Sequence, residues 1–400
     1  MKKIEIIFIL NFILFISLIN AQNTNEIASG NNQFAINLFK ELKNENQNKN
    51  IFFSPFSIST ALAMTYAGAR NETEKQMSKT LNFSLDQTKF HINYKLLNKK
   101  IKNNAQDNIT LNIANSIWAQ ENYKFLASFF NEVTTNYNAK VKNADFINDI
   151  EREKAIKEIN RWVDSTTLHK ISEVLNSKSV NRDTRMVLVN AIYFYGKWAT
   201  EFKKENTKSG SFNLNKKNTI NTEFMNRTDS MFYYEDSNLK ALEIPYKEKK
   251  ASMIVILPNE TDGIENIENS FNYDSYKKII ASMNKTKVRL LLPKFKTECD
   301  YYLKDALSTM GMPIAFSYTA DFSGMTGNNE LYINNVFHKA MINVSEEGTE
   351  ASAVTAVFMF IKVNNEIIKN FIVDHPFLFI IKENETGTIL FIGKIINPKE

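Results

Sequence analysis

The chain has 400 residues, 43% of them hydrophobic and 23% charged, a balance that excludes a disordered chain and allows a large buried core. A formal net charge of +5 is too mild to argue nucleic-acid binding, and a single cysteine, Cys299, excludes an internal disulfide framework. His91, His169, His338 and His375 lie too far apart for a metal cage to be expected, and no Gly-X-Ser-X-Gly, phosphate-loop, Gly-X-Gly-X-X-Gly or His-Glu-X-X-His motif occurs. An enzyme is therefore not expected, nor is a cofactor.

In chain order, residues 1–21 read as a secretory leader. Lys2 and Lys3 precede an apolar run from Ile6 to Ile19, and Ala21 is a small residue at the expected cut. The run is shorter than the roughly 20 apolar residues a membrane span needs and is interrupted by Asn11. A secreted, extracellular protein of residues 22–400 is the expectation, with eight Asn-X-Ser/Thr sites, at Asn71, Asn82, Asn108, Asn226, Asn259, Asn284, Asn343 and Asn384, making it a candidate glycoprotein. Phe34, Ala35, Leu38, Phe39 and Leu42 form one apolar helical stripe, and Ile156, Ile159 and Val163 another. His91, Lys95, Lys99 and Lys102 recur at helical spacing with Lys89 and Lys100 nearby, which in itself describes a solvated basic face.

From Met186 onward the texture changes to β runs at residues 186–194, 253–257, 288–292, 376–381 and 389–396. Helices first and strands later argue α+β. Only 11 Gly and 7 Pro are scattered along the chain without a linker, so one large domain is expected although the length alone suggests more.

Residues 331–351 (LYINNVFHKAMINVSEEGTEA), followed by a stretch without Gly or Pro and then FIVDHPFLFII (371–381), resemble the serpin family. The likeness continues in NIFFSPFSISTALAMTYAGA (50–69), INRWVDSTTLHKI (159–171), NAIYFYGKW (190–198), LLPKFKTE (291–298), ADFSGM (320–325) and ILFIGKIINP (389–398). It implies a single-domain serpin fold of three β-sheets and about eight or nine helices, with an exposed reactive loop near residues 346–370. Inhibitory members let a protease cut that loop and then insert its N-terminal part as a new central strand, a switching transition long described for serpins.

In an inserted strand alternate residues face the core. From Thr349 one set is Thr349, Ala351, Ala353, Thr355, Val357 and Met359, none charged, while Glu350 and Ser352 fall on the opposite face. By resemblance the hinge is Glu346, Glu347, Gly348, Thr349, Glu350, Ala351, Ser352 and Ala353, with Val354 bulkier than the family's usual Ala or Ser. Ser54, Ser57, Asn190 and His338 correspond to the buried polar cluster that governs sheet opening. Trp198, Lys294 and Glu346 mark the place where the loop first enters, with an ion pair between Lys294 and Glu346. The basic face of His91, Lys95, Lys99 and Lys102 corresponds to the helix on which several serpins bind heparin-like glycosaminoglycan.

Counting from Thr349, the fourteenth residue is Lys362, so the resemblance places the reactive bond between Lys362 and Val363. A lysine there implies a trypsin-like serine protease as covalent partner, whereas the adjacent Phe358, Met359, Phe360 and Ile361 suit chymotrypsin-like enzymes. The expectation is a monomeric secreted inhibitor without nucleic-acid or membrane partners. The alternatives are a non-inhibitory serpin with a carrier, chaperone or storage role, and inhibition of a cysteine protease.

Overall fold

Phe34, Ala35, Leu38, Phe39 and Leu42 are each 0 or 1% exposed, so the helical stripe read from the sequence is the buried face of α1 (Lys2–Glu45). The computed structural model describes residues 2–104, 109–349 and 368–400, and side chains from residue 22 onward. α1 runs without a break through Ala21, so the helix draws no boundary where a leader was expected to end.

β1 (Ile51–Phe53) leads into α2 (Pro55–Tyr66), whose every residue is buried. Its start is set locally: the Ser54 hydroxyl accepts from the Ser57 N–H, and Pro55 occupies the first turn, where its missing donor costs nothing. α3 (Asn71–Leu81), α4 (Gln87–Asn104), β2 (Ile109–Gln120), α5 (Ala127–Tyr137), β3 (Lys140–Ala144) and α6 (Asp149–Thr166) follow. β2 departs from the expected helical first half. Asn112, Asn115 and Ser116 break its apolar pattern, and it is held as a strand by antiparallel pairing from Ile109↔Gly196 to Ala119↔Met186.

The second half supplies β4 (Met186–Lys197), β5 (Lys208–Asn213), β6 (Thr219–Glu235), β7 (Leu239–Pro245) and β8 (Ala251–Pro258). After α7 (Ile264–Ser270) and α8 (Tyr273–Ser282) come β9 (Asn284–Pro293), β10 (Phe295–Tyr302), α9 (Lys304–Met310) and α10 (Ser323–Thr326). β11 (Asn335–Ser345), β12 (Gly348–Thr349), β13 (Lys369–Ile372), β14 (Phe377–Glu383) and β15 (Ile389–Ile395) complete the order.

Among the described residues the strands form two hydrogen-bonded sheets, not three. One is six-stranded, in the order β10-β11-β12-β4-β2-β3; the other runs β1-β15-β14-β8-β7-β6-β9-β13, with β5 on β6. The difference arises at β6, whose 17 residues pair with β7 through Phe232–Glu235 and with β9 through Phe224–Tyr233, joining two sheets into one. Ten α-helices are described where eight or nine were expected.

Both faces of the six-stranded sheet are covered, which is why β4 is almost continuously apolar. Phe194 packs with Phe391 and Tyr246 on the side of the larger sheet, while Ile156, Ile159 and Val163 of α6 cover Trp118, Val187, Val189 and Phe337 on the other.

Candidate functional site

The functional geometry lies where β4 and β11 meet. Over most of their length they pair directly and in parallel, from Asn335↔Val187 to Met341↔Tyr193. Above that point β12 stands between them: Thr349 pairs with Val344 and Gly196, and Gly348 with Ser345 and Lys197. Gly348 has φ of +154°, and a Cβ there would lie 2.1 Å from the Gly196 carbonyl oxygen, so only glycine lets the chain turn back this close to β4. Thr349 is 0% exposed, and its hydroxyl lies 3.0 Å from the Tyr246 hydroxyl. Burial and the Tyr246 contact turn Thr349 inward; the other positions of the face read from the sequence lie outside the described residues.

Trp198 and the turn after it grip the residues just before Gly348. The Trp198 indole Nε1 donates to the Ser345 carbonyl at 2.9 Å, its backbone N–H donates to the Glu347 carbonyl, and the Phe202 N–H donates to that of Glu346. Trp198 itself lies stacked on Tyr246, with ring centroids 4.7 Å apart. Lys294 Nζ is 3.3 Å from Glu346 and 3.1 Å from Glu223, so the expected ion pair forms, but on a buried carboxylate. Burial alone would raise the Glu346 pKa. Hydrogen bonds from the backbone and Thr207, with the Lys294 charge, outweigh it and hold the carboxyl below its ordinary range. Glu347, also buried, pairs with Lys204 at 3.0 Å.

Ser54, Ser57, Asn190 and His338 come together as one network across strands β4 and β11 and the start of α2. Asn190 and His338 are register partners. The Ser54 backbone N–H donates to His338 Nε2 at 3.0 Å, which fixes the proton on Nδ1, from where it is donated to the Asn190 carbonyl oxygen. Asn190 Nδ2 in turn donates to Ser57 and to Asn115 of β2. Burial lowers the His338 pKa to about 3, so the ring is neutral and both its nitrogens are used. Asn115 was not singled out from the sequence. Its only sequence signal is a polar residue in a stretch that becomes buried strand.

The basic face must be corrected at His91. That residue is 3% exposed between α4 and α5, its Nδ1 lies 2.5 Å from the Tyr137 hydroxyl, and burial lowers its pKa to about 4. It carries no charge for a polyanion. Lys95, Lys99 and Lys102 remain exposed on one face of α4, while Lys89 and Lys100 pair with Asp86 and Glu385. Cys299 is partly buried, its thiol pushed upward by burial and 3.7 Å from the Asn50 carbonyl, which suits an inert thiol. Glu350, Ala351, Ser352, Ala353, Lys362 and Val363 lie outside the described residues.

Comparison with known proteins agrees with this geometry. The family model described as Serpin (serine protease inhibitor) matches residues 29–398, and the chain belongs to that family: a single-domain α+β protein of inhibitors rather than enzymes, whose inhibitory members target serine proteases. It is 40% identical to a leukocyte elastase inhibitor of Xenopus laevis over 93% of this chain and 99% of that one. Human serpin B4 is 39% identical over 94% and 100%. Among solved structures, human thyroxine-binding globulin in complex with thyroxine superposes with a TM-score of 0.86 at 33% identity, covering 94% of this chain and 100% of its own.

These relatives correct the expectation of a secreted, glycosylated inhibitor of trypsin-like proteases. They are named for leukocyte elastase and as a serpin B member, not for a trypsin-like target. They are matched over 99 to 100% of their own length by 93 to 94% of this chain, and the family match runs from residue 29 to 398.

Proposed function

We propose that the protein inhibits elastase- or chymotrypsin-like serine proteases by being cut in the loop between β12 and β13 and inserting the cut strand between β4 and β11. The observation that carries this reading is the seating of Gly348 and Thr349 between those strands with Thr349 facing inward. Each further residue added in this register exchanges one parallel ladder for two antiparallel ones, at a net gain of about 1 kcal/mol per hydrogen bond.

The apolar run Phe358, Met359, Phe360 and Ile361 supplies the side chain for an apolar primary pocket. The bond between Lys362 and Val363, set by the count from Thr349, is the competing cleavage point. Incubation with leukocyte elastase, chymotrypsin and trypsin is expected to give a complex that survives boiling in detergent with one of the first two. Mass spectrometry of the released C-terminal fragment then identifies the bond. A fragment starting within residues 359–362 supports the reading; one starting at Val363, or stable complex with trypsin alone, defeats the target class.

On the same reading Lys95, Lys99 and Lys102 accept a heparin-like polyanion. Heparin is expected to accelerate complex formation at low ionic strength, and changing the three lysines to Ala to remove the acceleration. Rates indifferent to heparin would dispose of the site.

A further inference from the structure

Behind the lysine face of α4 lies a cavity of about 200 Å³ whose walls come from two different parts of the molecule. Asn98 and Lys102 of α4 and Tyr137 of α5 form one side; Asn115 of β2, Lys140 of β3 and Trp162 of α6 form the other. Among the described residues no Asp or Glu lines it. Lys140 Nζ lies 5.3 Å from the Trp162 ring centroid, and its carboxylate neighbour among the described residues, Glu158 at 4.0 Å, is held much closer by Lys142 at 2.6 Å. Among the described residues Lys102 has no ion-pair partner. The Tyr137 hydroxyl is taken by His91. Asn115 is 9% exposed, gives its carbonyl oxygen to Asn190 and lines the cavity, where its amide nitrogen is a further donor. Among the described residues the cavity therefore presents two ammonium groups and an amide donor, answered only by Glu158, which Lys142 holds more closely. A water molecule takes roughly 30 Å³, so the space suits an anion the size of citrate or pyrophosphate.

We propose that this cavity is a regulatory site for a small multivalent oxyanion, held between Lys102, Lys140 and Asn115, whose binding keeps the six-stranded sheet closed. Inserting a strand parts β4 from β11 by about 4.8 Å. β2 is tied to β4 along the ladder from Ile109 to Ala119, β3 is paired to β2, and α6 packs on both, so these elements move with β4. α4 carries Lys102 but lies outside the sheet. An anion bridging the two walls fits the closed arrangement and loses contacts in the opened one. It thereby stabilises the closed state by its difference in affinity for the two. Slower insertion gives the cleaved loop time to release the protease, so the bound anion shifts the outcome from trapping toward turnover. The binding claim stands apart from the proposed function; only this last consequence rests on it.

The test titrates the full chain with citrate and, separately, with pyrophosphate, against sodium chloride at matched ionic strength. It reads the melting temperature and the moles of inhibitor consumed per mole of elastase. A saturable rise in melting temperature with either probe supports the site, and the probe that acts identifies the ligand as carboxylate or phosphate. Lys102→Glu is expected to weaken the response about tenfold or more, as loss of a charged hydrogen bond implies. Asn98→Lys, which adds a third cation to the same wall, should tighten it, a gain that misfolding cannot mimic. A shift no larger than that of chloride, or one that both variants leave unchanged, overturns the site. Saturable binding with unchanged consumption of inhibitor overturns the regulatory role. Failure of every protease to form a complex counts against the inhibitor reading and leaves the melting result intact.

Discussion

Thr349→Arg is expected to turn the protein from a trap into a substrate: cleavage of the loop continues while detergent-stable complex falls on the order of a hundredfold. Thr349 sits fully buried between Val344 and Gly196 and hydrogen-bonds Tyr246. Tyr246 is 0% exposed, and burial raises its phenol above the ordinary value, so it stays neutral and offers no negative charge to a guanidinium. An arginine there must be buried without a partner or leave the slot, and either costs several kcal/mol. Insertion would then be blocked at its first residue. The measurement is gel densitometry of complex and cleaved inhibitor, beside Thr349→Ser, which keeps the hydroxyl and should keep trapping. Undiminished complex with Thr349→Arg would show that the strand does not enter in this register.

The second large effect is a loss of stability in mild acid. Burial lowers the pKa of His338 to about 3 and of His91 to about 4, both from an ordinary 6.5. Between those values and 6.5 the unfolded chain binds protons that the folded chain refuses, so stability is complete above about pH 6.5 and falls as the pH drops through this window. Each ring contributes about 2 to 3 kcal/mol of loss by pH 4.5. Protonated His338 would also turn a second donor toward the Ser54 N–H, breaking the link between α2 and the strand pair. Urea unfolding at pH 7 and pH 4.5 reads the effect. His91→Phe with His338→Gln is expected to lower stability at pH 7 but flatten its slope between the two pH values. An undiminished slope would assign acid sensitivity to carboxylates instead.

Much of this was legible in the sequence, for reasons that differ by residue. The stripe in α1 and the apolar runs of β4, β8, β9 and β15 announced themselves because one period and one burial pattern governed each. β2 was hidden because its strand character comes from long-range pairing with β4, while its own polar residues serve a buried network. His91 fitted a basic helical face by spacing alone. Spacing fixes direction around a helix axis, but not which neighbour closes over that side, and here α5 does, through Tyr137. The target class was misread from a lysine whose importance rests on counting along a loop. The apolar residues Phe358, Met359, Phe360 and Ile361 stand directly before it and carry the other target class in the same stretch.

Trp198 carries one more consequence, an optical one. The chain has only three tryptophans. The indole of Trp198 lies flat on Tyr246 and donates to Ser345 at the strand end where insertion begins, so its emission reports whether the slot is filled. Trp118 and Trp162 instead share Lys140, whose Nζ is 5.0 Å from one ring and 5.3 Å from the other. They sense the ammonium group on the far side of the same sheet. Replacing one set by Phe while watching the other would separate the arrival of a strand from the arrival of an anion, in real time and without an added label.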